Sequence, residues 1–172
     1  MTAQSATTSA RTFGFAIHNL LRLRRNLTPL FFSTFLPVFF YLLFGTMMDF
    51  GNASFKGGNF AALEMISMAL YGGVAGSVSA AGSAVTDTKT GWARQLALTP
   101  LHPRQLLWAN LISIGFQALL PITAVFITGA MTQAAMQPHQ WVLAIIACVL
   151  VSIPFGSVSY THLRAHETVL DL

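Results

Sequence analysis

Between Thr12 and Gly156 the chain carries only three acids, Asp49, Glu64 and Asp87. No two of them are spaced for joint acid–base work on one helix, so no catalytic residue is assigned. His18, His102 and His139 have no ligand partner at helical spacing, and no metal site is assigned. Cys148 stands alone inside an apolar run, where it can form neither an internal disulfide nor a Cys-based metal site, and it reads as packing. There is no G-x-x-x-x-G-K-[ST], so the chain has no phosphate-binding loop of its own. What polar chemistry remains is gathered in Thr86–Leu101, T-D-T-K-T-G-W-A-R-Q-L-A-L-T-P-L, a Gly- and Pro-punctuated stretch between two long apolar runs.

Those runs set the class. The 172 residues are 54% hydrophobic and 8% charged, with 14 phenylalanines and a mean hydropathy of +0.63. Soluble domains carry about 25% charged residues, so this surface belongs in a bilayer. The formal charge of +4 does not point to nucleic acid. Its few basic residues sit beside apolar runs, as the positive-inside rule expects.

Residues 1–10 are small and polar and read as a disordered start. They are not a signal peptide, because the first apolar run comes late, is too long and lacks a small-residue cleavage site. Residues 12–25 place Phe13, Ile17, Leu20 and Leu21 on one helical face and His18 and Arg22 opposite. That pattern predicts an amphipathic helix in the membrane interface, with a plain extension of the first span as the alternative. Four spans follow, at about 27–48, 60–85, 106–131 and 141–156, each measured against the roughly 20 residues that cross a bilayer. Pro37 and Pro121 predict kinks rather than breaks. The second span is rich in Gly, Ala and Ser, and Gly72 and Gly76 are placed to let a neighbouring helix approach closely. Trp141 suits an interfacial anchor. Arg11, Arg22, Arg24 and Arg25 precede span one, and Lys89, Arg94 and Arg104 lie between spans two and three. The opposite loops hold only Lys56, so the N-terminus and residues 86–105 are expected in the cytoplasm. Glu64, a few residues inside span two, is a candidate for substrate binding or gating; the alternative is that it reaches the headgroups.

The 86–105 segment reads as a short helix with an acid, Asp87, near its start, apolar contacts from Trp92, Leu96 and Leu98, and a stop at Thr99-Pro100. Lying on lipid headgroups is its simplest role. It also resembles the signature of the ABC-2 family, the membrane-spanning permeases of ATP-driven exporters. Asp87 fills the first acidic place, Gly91 the glycine, Leu96 and Leu98 the apolar places, and Thr99-Pro100 the end. The order of elements over residues 11–156 matches as well. Thr88 and Lys89 depart from the family's basic and acidic residues, which alters the local charge pattern.

The resemblance implies an all-α polytopic transmembrane bundle, about four spans of a usual six, in a bacterial plasma (inner) membrane. It implies a second permease copy, as homodimer or heterodimer, and a cytoplasmic ATP-binding subunit that holds ATP and Mg. Asp87, Gly91, Trp92, Arg94, Leu96, Thr99 and Pro100 are the candidates for coupling to that subunit. The cargo would be a hydrophobic drug or antibiotic, or a lipid-linked glycan. The rival is a non-transporting membrane protein, such as a sensor anchor or an immunity-type protein; a membrane enzyme is weaker for want of ionisable residues.

Residues 157–172 change character. Back-translated, V-S-Y-T-H-L-R-A-H-E-T follows the constant bases of transposon-type adaptors used in sequencing libraries, and Asp171-Leu172 fit the bases after the barcode. The tail is therefore expected to be foreign to the gene and the chain a truncated permease, and the His162/His166 pair, though spaced four apart, is set aside as a metal motif. Re-sequencing the locus past codon 156 with a different library chemistry is expected to replace this tail with an apolar continuation; finding it encoded would overturn that reading. A cysteine placed in the 49–58 loop is expected to react with impermeant reagent on intact cells, and labelling only after permeabilisation would reverse the topology.

Overall fold

The computed structural model describes residues 27–48, 51–55, 57–87 and 103–170. The expected interfacial helix at 12–25 lies outside them, as does most of the 86–105 segment. Helix α1 (Leu27–Phe40) runs into a π-helical stretch, Tyr41–Thr46. A two-stranded hairpin follows, β1 (Ser54–Phe55) and β2 (Gly58–Asn59), then the long helices α2 (Phe60–Asp87), α3 (Pro103–Met131) and α4 (Pro138–Leu170). Among the described residues four helical stretches are long and apolar enough to cross a membrane: Thr28–Thr46, Phe60–Ala84, Asn110–Met131 and Pro138–His162. The fold is an all-α polytopic bundle.

Helix α2 is the centre, packing against α1, α3 and α4. It can do so because its buried stripe is almost free of bulk: Ala61, Ala62, Ala69, Gly72, Gly73, Gly76, Ser77, Ala80 and Ala81, with Met65 the one large member. With lipid outside as apolar as leucine, such close backbone approach is what drives helices together. Met65 lies against Gly129 of α3, so closely that a Cβ there would collide with its sulfur. Around it Tyr41, Ala69, Ile122, Val125, Phe126 and Cys148 form the main core, with Trp141 edge-on to Phe126 at 6.0 Å. A smaller core at the other end joins Ala80, Ala81, Ile114 and Tyr160, where Asn110 Nδ2 donates to the Tyr160 hydroxyl at 3.2 Å. Hydroxyls inside the spans donate back to their own helices, among them Ser77 to Val74 O (2.8 Å) and Ser152 to Cys148 O (2.7 Å). That local bonding satisfies groups that water cannot reach.

The hairpin between α1 and α2 is more ordered than the plain polar loop expected there. Gly57, at φ +112°, makes its turn, a conformation that favours glycine. The buried Asn59 then ties this turn to the distant α3–α4 connection. Its Oδ1 accepts from Ala62 N at 3.0 Å, capping α2, and from Ala135 N at 2.9 Å. Its Nδ2 donates to Gln133 O at 2.5 Å, and Asn59 N to Ala135 O at 3.2 Å. Helix α4 starts with Pro138 in its first position, and Gln140 Oε1 accepts from Gln137 N at 2.9 Å, the returning half of a capping box.

Helix α4 does not stop at Gly156 as the apolar run suggested. No Gly or Pro follows Gly156 to break it, and the helix extends through the tail to Leu170. Its 33 residues span about 50 Å at helical rise. Arg164 therefore lies about 39 Å along from Pro138, past a hydrocarbon core of roughly 30 Å.

Replacing Asn59 by Ala leaves the Ala62 and Ala135 amides without their acceptor, at a cost of about 1–3 kcal/mol for each orphaned group. A clear drop in thermal midpoint in detergent is expected, with Asn52→Ala, an exposed neighbour in the same hairpin, unchanged.

Candidate functional site

Two recesses stand out, the second more polar than the first. The first is a groove of about 730 Å³ between α1 and α3, on the side of both helices away from α2. Leu30, Phe31, Thr34, Phe35 and Val38 line one wall, and Leu120, Thr123, Ala124 and Ile127 the other. The α1 wall is a phenylalanine ladder. Phe31 and Phe35 stack at 4.7 Å and 12°, and Phe35 and Phe39 at 6.1 Å and 16°. All three rings are about half exposed, so the ladder is a surface rather than a core. Helical spacing of i, i+4 makes it, since these residues fall one above another.

Only two hydroxyls enter that groove. Thr123 Oγ1 is committed to its own helix, donating to Leu119 O at 2.8 Å and lying 3.0 Å from Leu120 O. Thr34 Oγ1 is buried and has no hydrogen-bond partner. A buried hydroxyl left unpaired is costly, and here it sits in a wall that is otherwise apolar. With Thr123 committed to its own helix and Thr34 Oγ1 buried out of reach, the groove suits a long hydrophobic body.

The second recess, about 600 Å³, opens at the hairpin end of the bundle. Asn52, Ser54, Gly57, Gly58, Asn59, Gln133, Ala135, Met136 and Gln137 line it. It carries more polar groups than the groove and, among the described residues, no charged side chain. Asn59 is fully engaged in the tie described above, so this recess is first a by-product of that junction.

The residues singled out in the sequence fall as follows. Glu64 is the fifth residue of α2, half-buried, near the hairpin end and away from both recesses. It makes no hydrogen bond or ion pair among the described residues. Gly72 and Gly76 face α1 and α3 within the chain: a Cβ on Gly72 would lie 2.8 Å from Pro121 Cβ and 2.9 Å from Pro37 Cγ. Asp87 is the last residue of α2, and the short helix expected to follow it lies outside the described residues. Gly91, Trp92, Arg94, Leu96, Thr99 and Pro100 lie outside the described residues. His139 is exposed at the start of α4. Sequence reading missed the α1–α3 groove, the tie at Asn59 and the contact between Tyr41 and Thr132. The Phe31/Phe35/Phe39 spacing was the one available signal for the first.

No family model matches the chain, and no solved structure matches it. A curated relative from Bacillus subtilis (strain 168), named "Putative transport permease YvfS", is 25% identical over 142 residues. The aligned part is 81% of this chain and 57% of that protein, so the chain spans little more than half of the relative's length. With four helices fit to cross a membrane, that likeness supports a membrane transport permease.

Proposed function

We propose that the chain is the membrane-spanning part of an ATP-driven exporter of the ABC-2 type, coupled to ATP hydrolysis in a separate cytoplasmic subunit. The observation that carries the reading is the segment Asp87–Pro100. Its acid, glycine, apolar pair and Thr-Pro stop stand at the family's spacing, in the connection between the second and third membrane helices. The likeness to a transport permease supports the same class. Since the sequence has no nucleotide-binding loop, the driving chemistry belongs to a partner, and this chain's part is to receive force through a docking surface.

Trp92, Arg94 and Leu96 form that surface in this reading, with Thr99-Pro100 fixing its angle. Tryptophan and arginine are the residue types that dominate protein interfaces, because each combines a large desolvated area with a directed polar group. Glu64 is the candidate for gating or cargo contact. The cargo is a hydrophobic compound, and the apolar α1–α3 groove supports that class over a strongly polar one. The working assembly has two permease chains and two ATPase subunits in a bacterial inner membrane, with the 86–105 segment on the cytoplasmic side.

Trp92→Ala combined with Arg94→Glu is expected to remove about 2 kcal/mol or more of docking free energy. In the full exporter, export then falls while membrane insertion is unchanged, and the ATPase no longer co-purifies. Normal export in that double variant would defeat the docking assignment. An ATPase that never co-purifies with the unaltered protein would favour a non-transporting membrane protein.

A further inference from the structure

Proline inside a helix removes one amide and frees the carbonyl four residues earlier. Pro37 of α1 and Pro121 of α3 are both inside their helices and fully buried. The carbonyls they free are those of Ser33 and Gln117. Both are turned onto α2, and onto two glycines one turn apart. A Cβ built on Gly72 would come within 3.0 Å of Ser33 O, and one built on Gly76 within 2.6 Å of Gln117 O. In each case the Cα–H of a glycine faces an oxygen that has lost its helical amide. Such Cα–H···O contacts are weak, so they compensate the freed carbonyls only in part and do not lock them. Pro154 of α4 is exposed and takes no part.

The two ends of α1 and α3 are held differently. At the hairpin end the Tyr41 hydroxyl and Thr132 Oγ1 are 2.5 Å apart, and Asn59 binds Gln133 and Ala135. On the other side of the prolines no side-chain hydrogen bond joins α1 to α3 among the described residues, and the apolar groove runs from that free half of α1, at Leu30–Phe35, to the α3 residues at and just beyond Pro121.

We infer that Gly72 and Gly76 form a fulcrum on which α1 and α3 flex together, with motion confined to the halves leading to Leu27 and Pro103. The hairpin ends stay tied, α2 stays fixed, and the groove changes width as the free half of α1 swings against the α3 wall at Leu120–Ile127. This is a property of the chain itself and holds whether or not an ATPase docks.

The test is pulsed electron resonance on the 172-residue chain in lipid nanodiscs, with Cys148→Ala as background. One spin-label pair replaces the exposed Thr28 and Trp108, and the other the exposed Met47 and Met131. The Thr28/Trp108 distance distribution is expected to be about twofold broader, as a hinge with one free side requires. Pro37→Ala with Pro121→Ala restores the missing amides and is expected to narrow that distribution to the width of the other pair. Gly76→Ala, which drives a methyl into Gln117 O, is expected to shift the Thr28/Trp108 mean and leave Met47/Met131 in place. Because alanine favours helix, the proline variants keep the question answerable should Gly76→Ala fail to fold. Equal widths in the parent chain, or a proline double variant with an unchanged Thr28/Trp108 width, would overturn the fulcrum.

Discussion

In hydrocarbon every backbone amide and carbonyl must find its partner within the protein, and water offers no substitute. That constraint governs this bundle down to its choice of residues. It confines the spans to helix and turns many of their serines and threonines back on their own carbonyls, Ser77, Ser152 and Thr128 among them. It also makes each buried proline a local debt that a neighbouring helix has to meet. The bare surface of α2 meets it twice, at Gly72 and Gly76, and the bundle is arranged around that surface. A larger side chain at either position would both remove the partner and push the helices apart.

The number and order of the spans were legible because mean hydropathy over about 20 residues is a strong, local signal. The end of α4 was misjudged, since hydropathy reports where lipid ends and not where the helix does; with no Gly or Pro after Gly156, the backbone has no reason to stop. The central role of α2 was half legible. Its small residues announced close packing, but nothing local in the sequence said that Pro37 and Pro121 would be the residues packed. That pairing joins positions 35 and 49 residues from Gly72, and only the fold brings them together.

Illegible for the same reason was everything at the hairpin end. Asn59 looks like one more polar loop residue, and Tyr41 like one more aromatic in a greasy run. Their significance comes from partners 74 and 91 residues away. The π-helical stretch after Pro37 shifts the register by about one residue relative to an α-helix. Within it Tyr41 is fully buried and reaches Thr132, with Gly45 bare beneath its ring. The α1–α3 groove is legible in part, through its phenylalanine ladder, whereas the wall from α3 is ordinary in composition.

The tie at Asn59 also bears on how the chain is made. Asn59 caps its own helix at once, through Ala62, but its bonds to Gln133 and Ala135 need chain that is 74 and 76 residues further on. At ribosomal speeds of roughly 5–20 residues per second, that interval is about 4–15 s. For that time the first two spans stand in the membrane as a hairpin with one end unsealed. Biogenesis is therefore sequential at this point: the first pair of spans is provisional, and the arrival of the third makes it permanent.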